Sequence, residues 1–275
     1  MENVNRNHKN SVFSSLFSTP DVLRELYSAI EGIPIPPDIP IDINTLSNIL
    51  FMNQINDVSF LIDNRLVMLI EHQSTISENL PLRLLEYMGR IYEKIIAIEV
   101  KYQKPLVKIP RPEFIVLYNG VEDCPDYTEL KLSDAFMDIE GLKLTGIDKI
   151  PLELYVQVYN INHGHNPEML KKCESLYGYS FFINKIREYQ AKGLTLEESV
   201  TPVIEYCIKH NILKEYLEAH ASEVINMLTA EYDREMDIAV NRREAKEEGR
   251  EEERKYFLEL LDQGLTIEEI KERLN

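Results

Sequence analysis

The stretch Asn56-Asp-Val-Ser-Phe-Leu-Ile-Asp-Asn-Arg-Leu-Val-Met-Leu-Ile-Glu-His-Gln-Ser-Thr75 decides how this chain is read. Two short apolar runs, 58–62 and 66–70, flank the turn-forming pair Asp63-Asn64, which predicts a β-hairpin. Side chains alternate along a strand, so Glu71 and Gln73 share one face while His72 takes the other. Parity then sets the turn. A two-residue turn would pair Asp57 with Ile70 and send the two carboxylates to opposite faces, whereas an odd-length connection pairs Asp57 with Glu71. A three-residue loop, Asp63-Asn64-Arg65, is the prediction, and it brings Asp57 and Glu71 together at one end of the sheet. Two hard anionic oxygen ligands suit Mg²⁺ or Mn²⁺. Such an ion meets the demands of phosphodiester hydrolysis, with Gln73 holding the attacking water through its amide. On spacing alone the bland alternative, strand-end carboxylates paired with basic neighbours, outweighs the metal site.

The flanks supply the rest of the core. A first helix is expected near residues 20–30, stopped by Gly32 and the proline-rich IPIPPDIP. Residues 46–52 read as one more strand before the hairpin. From Leu80 to Lys101 the apolar residues Leu84, Met88, Ile91, Ile95 and Ile98 recur at spacings of three and four, which predicts one long amphipathic helix. Residues 114–118, ended by Asn119-Gly120, and residues 152–158 are apolar strands whose lack of polar alternation predicts burial on both faces. Beyond about residue 165 the pattern is helical. G-L-T-φ-E-E occurs twice, at Gly193 to Glu198 and Gly264 to Glu269, where Thr195 or Thr266 caps a helix and the later glutamate reaches back. Residues 242–255 are densely charged, so a helix there buries little surface.

Composition narrows the class. Hydrophobic and charged fractions of 44% and 28% are those of a globular protein. Three cysteines without a CxxC pair exclude a disulfide framework or structural zinc site and fit reduced cytosolic thiols. The polar opening MENVNRNHKN and the lack of a bilayer-length apolar segment predict a cytoplasmic chain with no membrane insertion. A net charge of −17 opposes binding to phosphate backbones, but it is unevenly spread. Residues 1–120 hold 11 Lys/Arg against 14 Asp/Glu, while the remainder holds 19 against 33. The acidity belongs to the C-terminal half, as a solvated helical surface or a shield over a basic site.

The local wording resembles one family. Asn56-Asp57-Val-Ser-Phe-Leu-Ile-Asp63, Leu69-Ile-Glu-His-Gln-Ser-Thr75 and Pro81-Leu-Arg-Leu-Leu-Glu-Tyr87 are similar to signature blocks of the Rpn family, recombination-promoting nucleases also described as transposases. Lys9-Asn-Ser-Val-Phe13, Glu223-Val-Ile-Asn-Met-Leu228 and the EEGREEE run extend the likeness over nearly the whole chain. The resemblance implies an α/β fold with a PD-(D/E)xK restriction-endonuclease-like core (helix, three strands, helix, strand) and an all-helical C-terminal region. It further implies a Mg²⁺- or Mn²⁺-dependent DNA endonuclease acting in recombination or mobile-element biology with low sequence specificity. The acidic pair falls on Asp57 and Glu71 as metal ligands and the third motif position on Gln73, where the superfamily more often has lysine. The expected organisation is a nuclease core over 1–160, a helical subdomain over 161–240 and a charged helical tail over 241–275 with a helix-turn-helix-like end.

At about 100° per residue, Arg83, Tyr87, Arg90, Lys94 and Lys101 fall in one stripe of the helix after the motif, away from the apolar face centred on Met88 and Ile95. Arg83, Tyr87, Arg90 and Lys94 are the candidate DNA contacts, against the alternative of an ordinary solvated face. Glu25 and Glu31 are weaker acidic candidates. His163 and His165 read as loop residues, Ser74 lacks a GxSxG setting, and neither a P-loop nor GxGxxG occurs. Two other classes stay open: a catalytically inactive nuclease-fold DNA-binding module, and an interaction module in which the C-terminal helices form a homo-oligomer.

Overall fold

The computed structural model of the chain describes residues 11–43, 57–138 and 150–262. The hairpin forms in the predicted register. Strands β2 (Asp57–Ile62) and β3 (Leu66–Gln73) are antiparallel, with Ile62 opposite Leu66 and Asp57 opposite Glu71. β1 is named below. Asp63 and Asn64 both adopt left-handed backbones, φ 49° and 51°, and the Arg65 N–H donates to the Ile62 carbonyl at 2.9 Å, as in a type I′ turn. Arg65 is therefore the third connecting residue, the one that sets the parity. Its carbonyl accepts the Arg111 N–H at 2.8 Å and ties the turn to β4 (Arg111–Tyr118), which lies parallel to β3.

Parallel neighbours require a crossover, and α3 (Leu80–Ile95) provides it. The described sheet has the order β1-β2-β3-β4-β6-β5, with β1 Ile41–Asp42, β5 Tyr127–Lys131 and β6 Tyr155–Asn160. One face carries Val67, Leu69, Val116, Tyr118, Val156 and Val158, and packs under Leu84, Met88 and Ile91 of α3. Burial of each of these helix side chains is worth about 1.5–3 kcal/mol, which outweighs propensity in holding the helix. The opposite face, with Met68, Ile70 and His72, meets α1 (Val12–Leu16) through Phe13 and α6 (Glu174–Gln190) through Tyr179. α2 (Pro20–Glu31) lies on that same side, its Tyr27 hydroxyl donating to Glu113 at 2.9 Å.

The amphipathic helix is shorter than the sequence predicts. It ends at Ile95; Ile96 is extended (φ −113°, ψ 113°), and α4 (Ile98–Lys101) is separate and buries none of its residues. Ile98 fits the helical period but is 63% exposed, because past Ile95 it has no sheet surface to cover. Two strands escaped the sequence reading. β1 follows directly on the proline run, and β5 is an edge strand of alternating exposure. Residues 114–118 are buried throughout, as expected, whereas the strand expected at 152–158 starts three residues late and alternates in burial. The strand expected at 46–52 lies outside the described residues.

The described chain beyond residue 165 is helical: α5 (Pro167–Lys171), α6, α7 (Leu196–Lys209) and α8 (Lys214–Asp262), with a non-helical backbone at His220 inside the last. Thr195 and Glu198 make the predicted reciprocal cap at the start of α7. The second cap, at Thr266, lies outside the described residues. The chain divides into two compact units, Met1–Met227 and Leu228–Asn275. In the charged run, Arg243, Lys246, Glu247, Arg250, Arg254 and Lys255 are exposed. No helix among the described residues is long and apolar enough to cross a membrane.

Candidate active site

β3 ends where the apolar run meets Glu71-His72-Gln73, and alternation separates these side chains as the sequence predicts. Glu71 and Gln73 lie on the α3 face and His72 on the other. Glu71 is 2% exposed. A buried carboxylate needs compensation, and Glu71 receives it at one oxygen: Oε2 accepts from the Gln73 Nε2 amide and from Arg83 Nη2, the latter at 3.3 Å. Burial raises the Glu71 pKa from its ordinary value, opposed by the Arg83 charge and the Gln73 hydrogen bond. The other oxygen, Oε1, is buried and has no hydrogen-bond partner among the described residues, and the same holds for Oε1 of Gln73. Asp57 stands at the register position opposite Glu71, and carboxylate and carboxamide oxygens are the donor type that Mg²⁺ and Mn²⁺ take. Among the described residues no group of three or more His, Cys, Asp or Glu gathers as a metal cluster.

Arg83 comes from the first turn of α3, which contains no acidic residue. The guanidinium places positive charge beside Glu71, a setting that favours an anion. Of the other residues placed on the basic stripe, Arg90 and Lys94 are exposed, and Arg90 stands 4.0 Å from Glu86. Tyr87 is corrected: it is 7% exposed and belongs to the apolar cluster between α3 and the sheet. Its angle on the helical wheel lies between the solvent and core arcs, and the large ring is drawn inward by the apolar area it buries. Lys101 leaves the stripe with the break at Ile96.

His72 packs into the opposite layer, stacked on Phe13 with ring centroids 4.7 Å apart and sharing a 3.1 Å hydrogen bond with the Tyr179 hydroxyl. Burial drives its pKa down to about 3, with Arg187 adding to the shift, so the ring is neutral. Glu25 accepts the Glu174 N–H at 2.6 Å at the start of α6, and Glu31 shares with Glu113 the side of the sheet away from Glu71. Neither is brought to the site. His163 and His165 are loop residues, His165 binding Asp126 at 2.6 Å.

A polar cluster beside the site escaped the sequence reading. The Asn119 N–H donates to the Gln73 carbonyl at 2.9 Å, and buried Asn119 accepts Arg187 Nη2 at its Oδ1 at 3.1 Å, while Arg187 Nη1 reaches Asn162 Oδ1 at 2.7 Å. Asn162 in turn donates to the Gly120 carbonyl and to Asn160 Oδ1, both at 3.0 Å. A Cβ on Gly120 would stand 1.9 Å from the Ser74 carbonyl oxygen, so glycine permits the close approach of the segments that leave β3 and β4. The signal was present as Asn119-Gly120 and the asparagines at 160 and 162, but a turn explained the first and nothing linked the others to Arg187.

No curated protein and no solved structure matches the chain. Residues 44–238 match the family described as "Putative transposase, YhgA-like", a span that includes the hairpin, α3, the polar cluster and most of the helical region. The chain belongs to the YhgA-like transposase family.

Proposed function

We propose that the chain is a divalent-metal-dependent DNA endonuclease with a PD-(D/E)xK-like core, cutting DNA in recombination or mobile-element movement, with Asp57, Glu71 and Gln73 as its reaction centre. The observation that carries this reading is the buried Glu71 carboxylate, whose Oε1 has no hydrogen-bond partner among the described residues and whose position faces Asp57 in the ladder. Buried side-chain oxygens are in the large majority hydrogen-bonded, so an open Oε1 on a carboxylate at 2% exposure favours a ligand there. Family membership supports a DNA substrate.

Asp57 and Glu71 would hold Mg²⁺ or Mn²⁺. Bound there, the ion supplies Lewis-acid activation of the scissile phosphate and offsets charge on the leaving oxygen. Gln73 is oriented by its bond to Glu71 Oε2, which leaves its own Oε1 to accept a hydrogen bond from the attacking water; being neutral, it cannot take the proton. Arg83 offers a fork that matches a phosphate, and Arg90 and Lys94 continue the positive path along α3. Tyr87 acts from the core, by setting how α3 lies on the sheet. Within this reading residues 1–160 form the nuclease core, 161–240 a helical subdomain and 241–275 a tail through which copies associate. Three cysteines, all buried and unpaired, suit the reducing cytoplasm to which we assign the protein.

Incubation of duplex DNA with the protein in Mg²⁺, Mn²⁺ or EDTA tests the proposal: cleavage in either metal and none in EDTA is expected. A second reading, a DNA-binding member that does not cut, is favoured by one feature, the Arg83 charge that already sits on Glu71. Salt-dependent DNA binding with no cleavage in either metal would establish it instead.

A further inference from the structure

Aromatic rings run from the polar cluster across the helical layer. His163 follows Asn162, whose carboxamide oxygen holds Arg187. Its ring meets Phe181 edge-on at 5.5 Å, Phe181 lies nearly parallel to Tyr206 of α7 at 6.3 Å and 14°, and Tyr206 stacks on His210 at 4.0 Å. Lys185 Nζ stands 5.0 Å from the Tyr206 centroid, although it also binds Glu188 at 2.8 Å. These rings are not core: His163 and His210 are exposed, and Phe181 and Tyr206 are half-buried. Phe182 and Ile186 of α6 and Val203 and Cys207 of α7 are the buried side chains of the same two helices, so the outer rings are not the apolar residues the helix pair buries.

The row begins at the C-terminal end of β3, where Asn119 binds both the Gln73 carbonyl and Arg187. We propose that this row is a binding surface for single-stranded DNA, on which unpaired bases leaving the cut site stack against Phe181 and Tyr206 while Lys185 meets the backbone. This deepens the nuclease reading and rests on it for DNA as the ligand. Unpaired bases fit better than duplex, whose bases are already stacked on one another, and every base has a π-face, so the surface would bind without regard to sequence. A cation beside an aromatic ring is the combination that single-strand sites use.

Anisotropy of a labelled oligo(dT), titrated in EDTA so that no cleavage intervenes, tests this. The intact protein is expected to bind oligo(dT) more tightly than a duplex of the same length. The double variant Phe181→Leu/Tyr206→Leu keeps the apolar volume but removes the π-faces. Its Kd should rise about a hundredfold, roughly tenfold per ring. Tyr206→Phe should bind like the intact protein, and ultraviolet cross-linking should map to peptides carrying Phe181 or Tyr206. Unchanged affinity in the double Leu variant would overturn the proposal. So would a change in its sedimentation mass with no oligo(dT) binding by the intact protein, which would make the rings a contact between copies. Ring-dependent binding by a protein that cuts no DNA in any metal would leave this surface standing and remove the nuclease reading.

Discussion

Asp57 lies directly opposite Glu71 in the β2–β3 ladder, because Arg65 stays in the connection and does not join the strand. Asp63 and Asn64 already complete a turn closed by the 2.9 Å bond from Arg65 to Ile62. Inserting one alanine between Ile70 and Glu71 should keep Ile62 opposite Leu66, set the alanine opposite Asp57 and send the Glu71 side chain to the other face of the sheet. DNA cleavage is expected to fall to background while the chain keeps most of its strand signal in circular dichroism. Undiminished cleavage would show that the pairing is not needed for the chemistry.

Arg83→Met tests the cation beside Glu71. The guanidinium side chain is one-third exposed (33%), so solvent screens the pair, and its loss should cost about 1 kcal/mol of stability in urea unfolding. Cleavage should fall further than stability, roughly tenfold to a hundredfold, because the same group orients phosphate. A stability loss with full cleavage would confine Arg83 to a structural role.

Two glycines give opposite predictions. Gly120→Ala forces a Cβ onto the Ser74 backbone and should destabilise the protein by about 2–4 kcal/mol. Gly89→Ala, inside α3 with nothing within 4 Å of the added carbon, should stabilise it by about 0.5–1 kcal/mol. Thermal unfolding of both variants decides, and equal shifts in Tm would contradict the close approach at Gly120.

The buried thiols set an alkaline limit. Burial pushes Cys173 up to about 12 and Cys207 up to about 11 from an ordinary 9.0. Folded-state values above the unfolded ones mean that this contribution is fully present below pH 9 and is lost as pH rises through 11 to 12. Stability should therefore decline over that window, and iodoacetamide at pH 8 should label both thiols only after denaturation. Rapid labelling of the native protein would contradict their burial.

The hairpin was legible because two independent rules, alternation and turn parity, constrained the same residues, and Glu71, Gln73 and His72 fall on the faces those rules require. Packing and long-range contacts were not. Tyr87 lies between the polar and apolar arcs of a helical wheel, and the sheet surface beneath α3 draws its ring inward. Ile98 keeps the helical period after the helix has ended, since periodicity does not record where the covering surface stops. Arg187 joins Asn119 across 68 residues, and no local pattern encodes that pairing. β1 was hidden because two residues beside prolines carry too little signal, whereas Pro40 closes the same edge by accepting the Asp63 N–H at 2.9 Å.

The most direct test of the central claim is nicking of supercoiled plasmid in Mg²⁺, Mn²⁺ and EDTA by the intact protein and by Glu71→Ala, with folding of the variant confirmed by its unfolding curve. Metal-dependent nicking by the intact protein that vanishes in the folded variant is the predicted result. Equal nicking by both proteins would contradict the assignment of the reaction centre, and no nicking by the intact protein in either metal would contradict the nuclease itself.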